Sequence, residues 1–356
     1  MRVLQLIDSL DAGGAERVAV TFANALVSKV EYSSLCTTRK EGLLKNNLDK
    51  GVSYLFLKKN HALDVFAIVR LLRFIKREKI NIIHAHATSY FTGTIIKIIK
   101  PKMILIWHDH YGNSELLHKR KFKILQWCSF RFNGILCVNK NLTQWAISHL
   151  KSKDIRYFKN IVSLPEENDT NLKLKGIEGK RIICVGNFRP QKDHQNLLNA
   201  FELVLAKHPE YSLHLFGKNW GDTYFNNIKE QIQQNNLGEC VHYYGAQKTT
   251  LGLLMQANIG VLSSQSEGLP ISLLEYGIAG LAVVCTRVGQ CEEVINGFGQ
   301  CVDPNRPEDL ALAIHSYIEN IEKRTLDATL FQNHILKNHS IDAIIPILIS
   351  YYESKR

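Results

Sequence analysis

Two glutamates eight positions apart, Glu267 and Glu275, flank a Gly-Pro turn in the stretch SSQSEGLPISLLEYGIAG, residues 263–280. The run Ile259–Leu262 before it reads as a buried strand, and the apolar run after it reads as a helix. Glycine and proline in the turn let the backbone approach a ligand, and a helix start offers unpaired N–H groups at a positive dipole end. One short stretch thus joins a phosphate cradle to two carboxylates able to hold hydroxyl groups, the two needs of a phosphorylated sugar. Arg189 and Lys192 stand on a second strand-to-helix loop, within reach of an anion at the strand ends. Gly13-Gly14 makes a third such turn, although it matches neither GxGxxG nor a Walker loop. Two more strand ends are followed by histidines, His84-Ala-His86 and His108-Asp109-His110. Alternate residues of an extended chain point the same way, so each pair could aim two imidazoles at one site. A divalent metal is one use of such a pair. No further Asp, His or Lys ends a strand in the pattern a metal site needs, so the expectation is no metal, with the imidazoles near a diphosphate or a sugar hydroxyl.

The elements that must position these residues alternate. The first half reads as strands at Arg2–Ile7, Tyr32–Thr37, Val52–Leu57, Ile80–His84, Met103–Trp107 and Gly134–Val138. Helical runs at Ala15–Ser28, Gly42–Asp49, Asp64–Lys79, Ser89–Ile99, His118–Phe132 and Leu142–Leu150 separate them. This rhythm predicts a parallel sheet covered on both faces, with ligands at the carboxyl ends of the strands. It breaks over Asn160–Gly179, which is polar and acidic and carries Pro165, and it restarts at Arg181. The domains are therefore expected at 1–160 and 181–339, with a linker at 161–180 and a helical tail at 340–356 that packs back on the first half.

Composition bounds the rest. The chain has 356 residues, 45% hydrophobic and 22% charged, which suits two globular domains. No apolar run reaches about 18 residues, and the start lacks a cleavable secretory pattern, so a cytoplasmic protein is expected. Eight cysteines without a CxxC pair suggest buried thiols in a reducing compartment. The net charge of +11 is uneven: Met1–Asn160 holds 27 Lys/Arg against 11 Asp/Glu, whereas the remainder is acidic. A basic half points to a membrane, a nucleic acid or a phosphorylated substrate. The helices 64–79 and 118–132 are basic and amphipathic. In the first, Val65, Ile68, Val69, Leu72 and Ile75 are expected inward; the second mixes lysines with Phe122, Trp127 and Phe130. Each is either a packing helix with a solvated face or a helix lying on an anionic bilayer.

Taken in order, these motifs resemble the family-4 type of retaining glycosyltransferases with the GT-B fold, across nearly the whole chain. Gly13-Gly14 is similar to the glycine loop of the first domain, His108-Asp109 to the strand-end histidine motif, and Gly186–Lys192 to the diphosphate loop. Glu267–Glu275 is similar to the paired-glutamate motif, and Gly289 with Glu292-Glu293 to the turn that follows it. The resemblance implies an α/β fold of two Rossmann-like domains with parallel sheets facing across a cleft. It implies that Lys192 neutralises the departing diphosphate, Glu275 holds ribose hydroxyls and Glu267 holds the donor sugar. Backbone groups of Gly268, Leu269, Pro270 and Ile271 would lie along sugar and diphosphate, Gly14 would approach the phosphate, and His108 would line the sugar and support the transition state. One position departs from the pattern: Asn187 stands where an arginine is usual, and Arg189 is the candidate replacement. Ser272 and Glu275 also spell a capping box, a structural alternative for Glu275. Pro270 just inside the helix would place Ser272 within the first turn and leave Glu275 for the ligand.

The reading is a glycosyltransferase of hexosyl type that needs no metal or cofactor. Its donor would be a nucleotide-diphosphate sugar, UDP favoured, and its acceptor a glycan or lipid-linked glycan of capsule, O-antigen or exopolysaccharide assembly. The basic first domain would meet the inner face of the plasma membrane peripherally, with no nucleic-acid partner. The rivals are a GT-B nucleotide-sugar epimerase, a metal-dependent hydrolase built on the HxH pairs, and a non-enzymatic nucleic-acid binder.

Overall fold

The short apolar runs do become strands, and every pairing between them is parallel. Continuous apolar strands, rather than alternating ones, are what helices on both faces of a sheet require. The computed structural model describes residues 1–112, 114–163, 172–247 and 251–356. Two units divide the chain: Met1–Ile161 together with Ile341–Arg356, and Val162–Ser340. Pro165 and the acidic core of the expected linker lie outside the described residues.

The first unit contains β1 (Arg2–Ile7), β2 (Tyr32–Thr37), β3 (Ser53–Phe56), β4 (Ile82–His86), β5 (Ile104–Asp109), β6 (Gly134–Cys137) and β7 (Ile155–Tyr157). Their order in the sheet is β3-β2-β1-β4-β5-β6-β7. The second unit contains β8 (Arg181–Val185), β9 (Ser212–Phe216), β10 (Val241–Tyr243), β11 (Ile259–Leu262), β12 (Ala282–Thr286) and β13 (Gln300–Val302), in the order β10-β9-β8-β11-β12-β13. Both sheets run outward from their first strand and then reverse past it. The reversal lies between β1 and β4 in one unit and between β8 and β11 in the other. At such a switch the loops leave in opposite directions and open a crevice at the carboxyl ends. Leu4, Leu6, Ile83, Leu105 and Ile135 in the first sheet and Ile182, Leu213, Ile259 and Val284 in the second are fully buried. Each such side chain contributes about 1.5–3 kcal/mol relative to exposure.

Local chemistry sets the helix starts. Asp64 caps the Val65–Arg77 helix by accepting from the Ala67 N–H, and Asn139 caps Lys140–His149 through the Leu142 N–H. Several expectations are corrected. β4 and β5 extend to His86 and Asp109, so His86 and His108 lie within strands and not beyond them, and His84, expected as the last residue of its strand, is interior to it. The expected helix 118–132 is a 3-10 turn, Ser114–Lys119, followed by a break and a short helix, Lys123–Ser129. The break turns Arg120 inward to Asp109. In the Val65–Arg77 helix, Val65 is exposed, and Leu71 and Phe74 fill the core positions. The three-residue edge strand β7 and the 19-residue helix Ile321–His339 have no counterpart in the sequence reading. The latter buries only a narrow stripe of Ala328, Phe331, Ile335 and His339, too sparse to stand out against its polar residues.

Candidate functional site

The loops after β8 and β11 are sewn together across the second switch point. Asp193 adopts a left-handed backbone (φ +48) and caps the His194–Lys207 helix through the Asn196 N–H. The Ser263 hydroxyl donates to the carbonyls of Lys192 (3.0 Å) and Asp193 (3.1 Å). The Gln265 N–H donates to the Gln191 carbonyl, and the Gln265 side chain donates to the Asp193 carboxylate. The sharp turn at Asp193 and these bonds direct Lys192 back toward the β11 loop. There its Nζ donates to Glu267 Oε1 at 2.5 Å, and the Ser264 hydroxyl donates to the same oxygen at 2.6 Å. Glu267 is 5% exposed. Lys192 is only partly buried, so the lysine can leave the pair, and its loss would leave the buried Glu267 carboxylate with the Ser264 hydroxyl.

Glu275 lies one turn into the Ile271–Ile278 helix and is buried. Pro270 occupies the N-cap position itself, one residue before the expected place, and no side chain caps this start. Ser272 is then the second helical residue, so the Ser272–Glu275 spacing makes no capping box. Two packings hold this segment. Gly289 has φ +53, and a β-carbon there would collide with the carbonyl oxygens of Glu267 and Gly268. The Gln290 N–H donates to the Gly268 carbonyl at 3.1 Å. Behind the helix, Gly277 lets Phe331 and Ile335 of the Ile321–His339 helix approach, and Gln332 donates to the Ile278 carbonyl. The unassigned helix of the sequence reading is thus the buttress of the glutamate segment.

Lys192, Glu267, Gly268, Leu269, Pro270, Ile271 and Glu275 therefore share one end of one sheet. Arg189 stands apart: it is exposed, and its guanidinium lies 4.7 Å from the Trp220 ring centre. Asn187 accepts from the Lys218 N–H at 2.8 Å and ties the β8 loop to the β9 loop. Ser264 and Asp193 are site neighbours that the sequence reading missed, since neither belongs to a spaced motif.

In the first unit Gly14 opens the Gly14–Leu26 helix at the end of β1, is exposed, and follows Gly13 as the cap. His108 is completely buried, with neither ring nitrogen partnered among the described residues. Around it stands a stack of imidazoles. His84 and His86 lie 4.5 Å apart between ring centres, His84 and His108 5.2 Å, and His108 and His110 4.1 Å. A hydrogen-bond chain orders the tautomers. Gln5 Nε2 donates to Tyr352 Oη, and Tyr352 Oη shares a 2.6 Å hydrogen bond with His84 Nδ1. His86 Nε2 donates to Gln5 Oε1 at 2.8 Å, and His110 Nε2 donates to His86 Nδ1 at 3.0 Å. Burial, aided for His84 by the nearby His110, pushes His84 and His110 down to about 3, and holds His86 and His108 well below the usual imidazole range. Donor atoms of His84, His86 and His108 fall within 4.8 Å of one another. Their rings are inclined to one another by 11–31°. Asp109 is engaged elsewhere, accepting two bonds from Arg120 at 2.6 and 2.8 Å.

Two doubly wound parallel sheets, one with a partly buried lysine–glutamate pair at its switch point, define a two-unit α/β protein. Residues 12–164 match the family model described as Glycosyltransferase Family 4, and residues 167–326 match Glycosyl transferases group 1. The chain belongs to the family-4 glycosyltransferases of GT-B fold. It is 25% identical over 331 residues to the O-antigen biosynthesis glycosyltransferase WbnH of Escherichia coli, covering 89% of this chain and 90% of that one. Among solved structures it resembles Anabaena HepE in complex with UDP and glucose (TM-score 0.82, 16% identity, 99% of this chain and 100% of that one). It also resembles a sucrose-phosphate synthase from Thermosynechococcus elongatus (TM-score 0.80, 14% identity, 99% of each chain). Among the described residues, no helix is long and apolar enough to cross a membrane.

Proposed function

We propose that this glycosyltransferase moves a hexose, with retention, from a nucleotide-diphosphate sugar to a glycan or lipid-linked acceptor in surface-polysaccharide synthesis. The observation that carries the reading is the Lys192–Glu267 pair, partly buried at a switch point beside the start of the Ile271–Ile278 helix. A diphosphate would draw the lysine to itself, and the helix dipole would share its charge, so no metal is needed to stabilise the leaving group. Glu267 would then accept from the donor sugar and Glu275 from the ribose, with the backbone of Gly268, Leu269, Pro270 and Ile271 alongside. Gly14 is carried as a phosphate-approaching backbone, and Arg189 as a peripheral cation of the same loop as Lys192. The family resemblance gives His108 to the sugar; it is completely buried within its strand, so its ring would have to be uncovered before its unpartnered nitrogens could bond a hydroxyl. With no general base assigned, the departing diphosphate oxygen would take the acceptor proton on the face it leaves, which gives retention.

UDP is favoured as the nucleotide because HepE was solved with UDP and glucose, and an O-antigen acceptor because of the relative WbnH. Contact with an anionic membrane rests on Ile124, Trp127 and Phe130, exposed at a three-residue spacing among Lys121, Lys123 and Arg131. The deciding experiment is a thermal-shift panel of UDP-, GDP- and ADP-sugars followed by turnover assays with Glu275→Ala and Lys192→Ala. A UDP-sugar shift in the wild type and loss of turnover in both folded variants is the expected result. Wild-type turnover in both would overturn the site.

A further inference from the structure

Two helices of the second unit bring three metal-ligating side chains together at their carboxyl ends. His208 is the C-terminal cap of the His194–Lys207 helix, and its N–H donates to the Val204 carbonyl at 2.9 Å. The Tyr211 N–H donates to the His208 carbonyl at 3.2 Å, so a closed turn sets the position of this residue. His315 and Glu319 stand four residues apart on the Pro307–Glu319 helix and therefore share a face. The ring centres of His208 and His315 are 5.3 Å apart, and ligand atoms of all three residues lie within 4.8 Å of one another. His315 is 5% exposed, and its Nδ1 is buried with no hydrogen-bond partner among the described residues; the same holds for His208 Nε2. Buried polar atoms are nearly always partnered, so two orphaned nitrogens beside one carboxylate point to a shared ligand. His208 Nε2 lies 3.7 Å from Glu319 Oε1. That is too long for a hydrogen bond. It is close to the separation of two atoms on one tetrahedral ion, about 3.3–3.5 Å for bonds of about 2.0–2.1 Å.

We propose that His208, His315 and Glu319 bind one divalent transition-metal ion of the zinc type, which ties the end of the first helix to the end of the second. Two imidazoles and a carboxylate are a ligand set that such ions accept, with water in the remaining position, whereas magnesium and calcium prefer oxygen throughout. Three sources of negative charge favour a cation here. Glu319 carries a full charge, and each helix brings the partial charge of its carboxyl end. Lys207 is exposed and can swing away from the ion. The Glu319 side chain is 58% exposed, which opens a route in from solvent and lets it turn to close the remaining distance. The His84–His86–His108 group has neither advantage: it contains no carboxylate, and both nitrogens of His86 are already hydrogen-bonded. The ion takes no part in sugar transfer. The His194–Lys207 helix has 14 residues and is about 21 Å long, and Lys192 lies just before its opposite end. Its role is structural: it anchors the far end of the helix whose start follows the Lys192 loop.

The metal site does not rest on the proposed donor site. The test strips the full-length protein with EDTA, removes the chelator, and titrates zinc chloride by calorimetry and by thermal shift. The expected result is one zinc bound per chain and a melting midpoint raised by about 3 °C at ten times the Kd. Cobalt chloride in place of zinc should give visible bands without the near-ultraviolet band of sulfur ligation. Glu319→Gln, a change at an exposed side chain, should weaken zinc binding by about tenfold or more, and so should His208→Gln. His315→Gln should do the same, with circular dichroism checking that this buried change leaves the fold intact. The proposal is overturned if the stripped wild type binds no zinc in the micromolar range. It is equally overturned if Glu319→Gln and His208→Gln bind zinc as tightly as the wild type, or if cobalt shows the sulfur band, since the ion would then sit on other histidines or on thiols. Binding without a rise in the midpoint would overturn the structural tie.

Discussion

The two sheets share one strand order over their first six strands and treat their polar groups in opposite ways. The second keeps its switch-point chemistry on the loops, where Lys192 and Glu267 neutralise each other just beyond the strand ends. The first pulls Gln5, His84, His86 and His108 into the strands themselves, fully buried and uncharged. A charge pair can be separated by an anion and reformed, so the second arrangement can change with its ligand. A stack of neutral rings pinned by Gln5 and Tyr352 gains by staying as it is. On the proposed function, the same topology yields one end that answers a ligand and one that does not.

The sharpest way to break this contrast is to remove a charge from the responsive end. Lys192→Ala should lower turnover by on the order of 100-fold or more, the scale of losing one preorganised group that meets developing charge. Steady-state kinetics with a UDP-sugar and a circular dichroism check of folding measure it. Next in size, Gly289→Val should destabilise the second unit by about 1–3 kcal/mol, because its backbone has φ +53 and its β-carbon would strike the glutamate loop. Chemical denaturation reads the loss, and a drop in UDP shift should accompany it.

The rigid end should reveal itself through pH. His84 and His110 are held down to about 3, while in the unfolded chain they would titrate near 6.5. Their stabilisation is complete above about pH 6.5 and declines as pH falls toward 3, because the unfolded chain takes up protons that the folded unit refuses. The slope is about 1.4 kcal/mol per pH unit for each histidine. Three of the four tryptophans, Trp107, Trp127 and Trp145, belong to the first unit, so intrinsic fluorescence follows its unfolding. His110→Gln should reduce the slope by about one proton, and an unchanged slope would contradict the buried neutral stack. The smallest effect compares two caps. Asn139→Ala in the first unit should cost about 1 kcal/mol and leave turnover intact. Asp193→Ala should cost a similar amount but also lower turnover, since Asp193 turns the chain that carries Lys192.

Much of this was legible along the chain. Apolar runs alternating with helical periods define the parallel sheets, because a strand buried on both faces cannot alternate. The spacing of Glu267 and Glu275, the loop with Lys192 and the Gly13-Gly14 turn marked strand-to-helix junctions, where a parallel sheet presents its ligand ends. Three kinds of fact were decided only by tertiary structure. Where β4 and β5 end depends on pairing, Ala85 with Trp107 and His86 with His108, and that pairing turned strand-end histidines into core residues. Arg120 was one cation among several until the fold brought it to Asp109. The Ile321–His339 helix has too thin an apolar stripe to declare itself, and its purpose depends on Gly277, a partner 44 to 62 positions away in sequence. Periodicity reports which face of an element is buried; it carries no record of what the face meets, because that contact is made by residues distant along the chain.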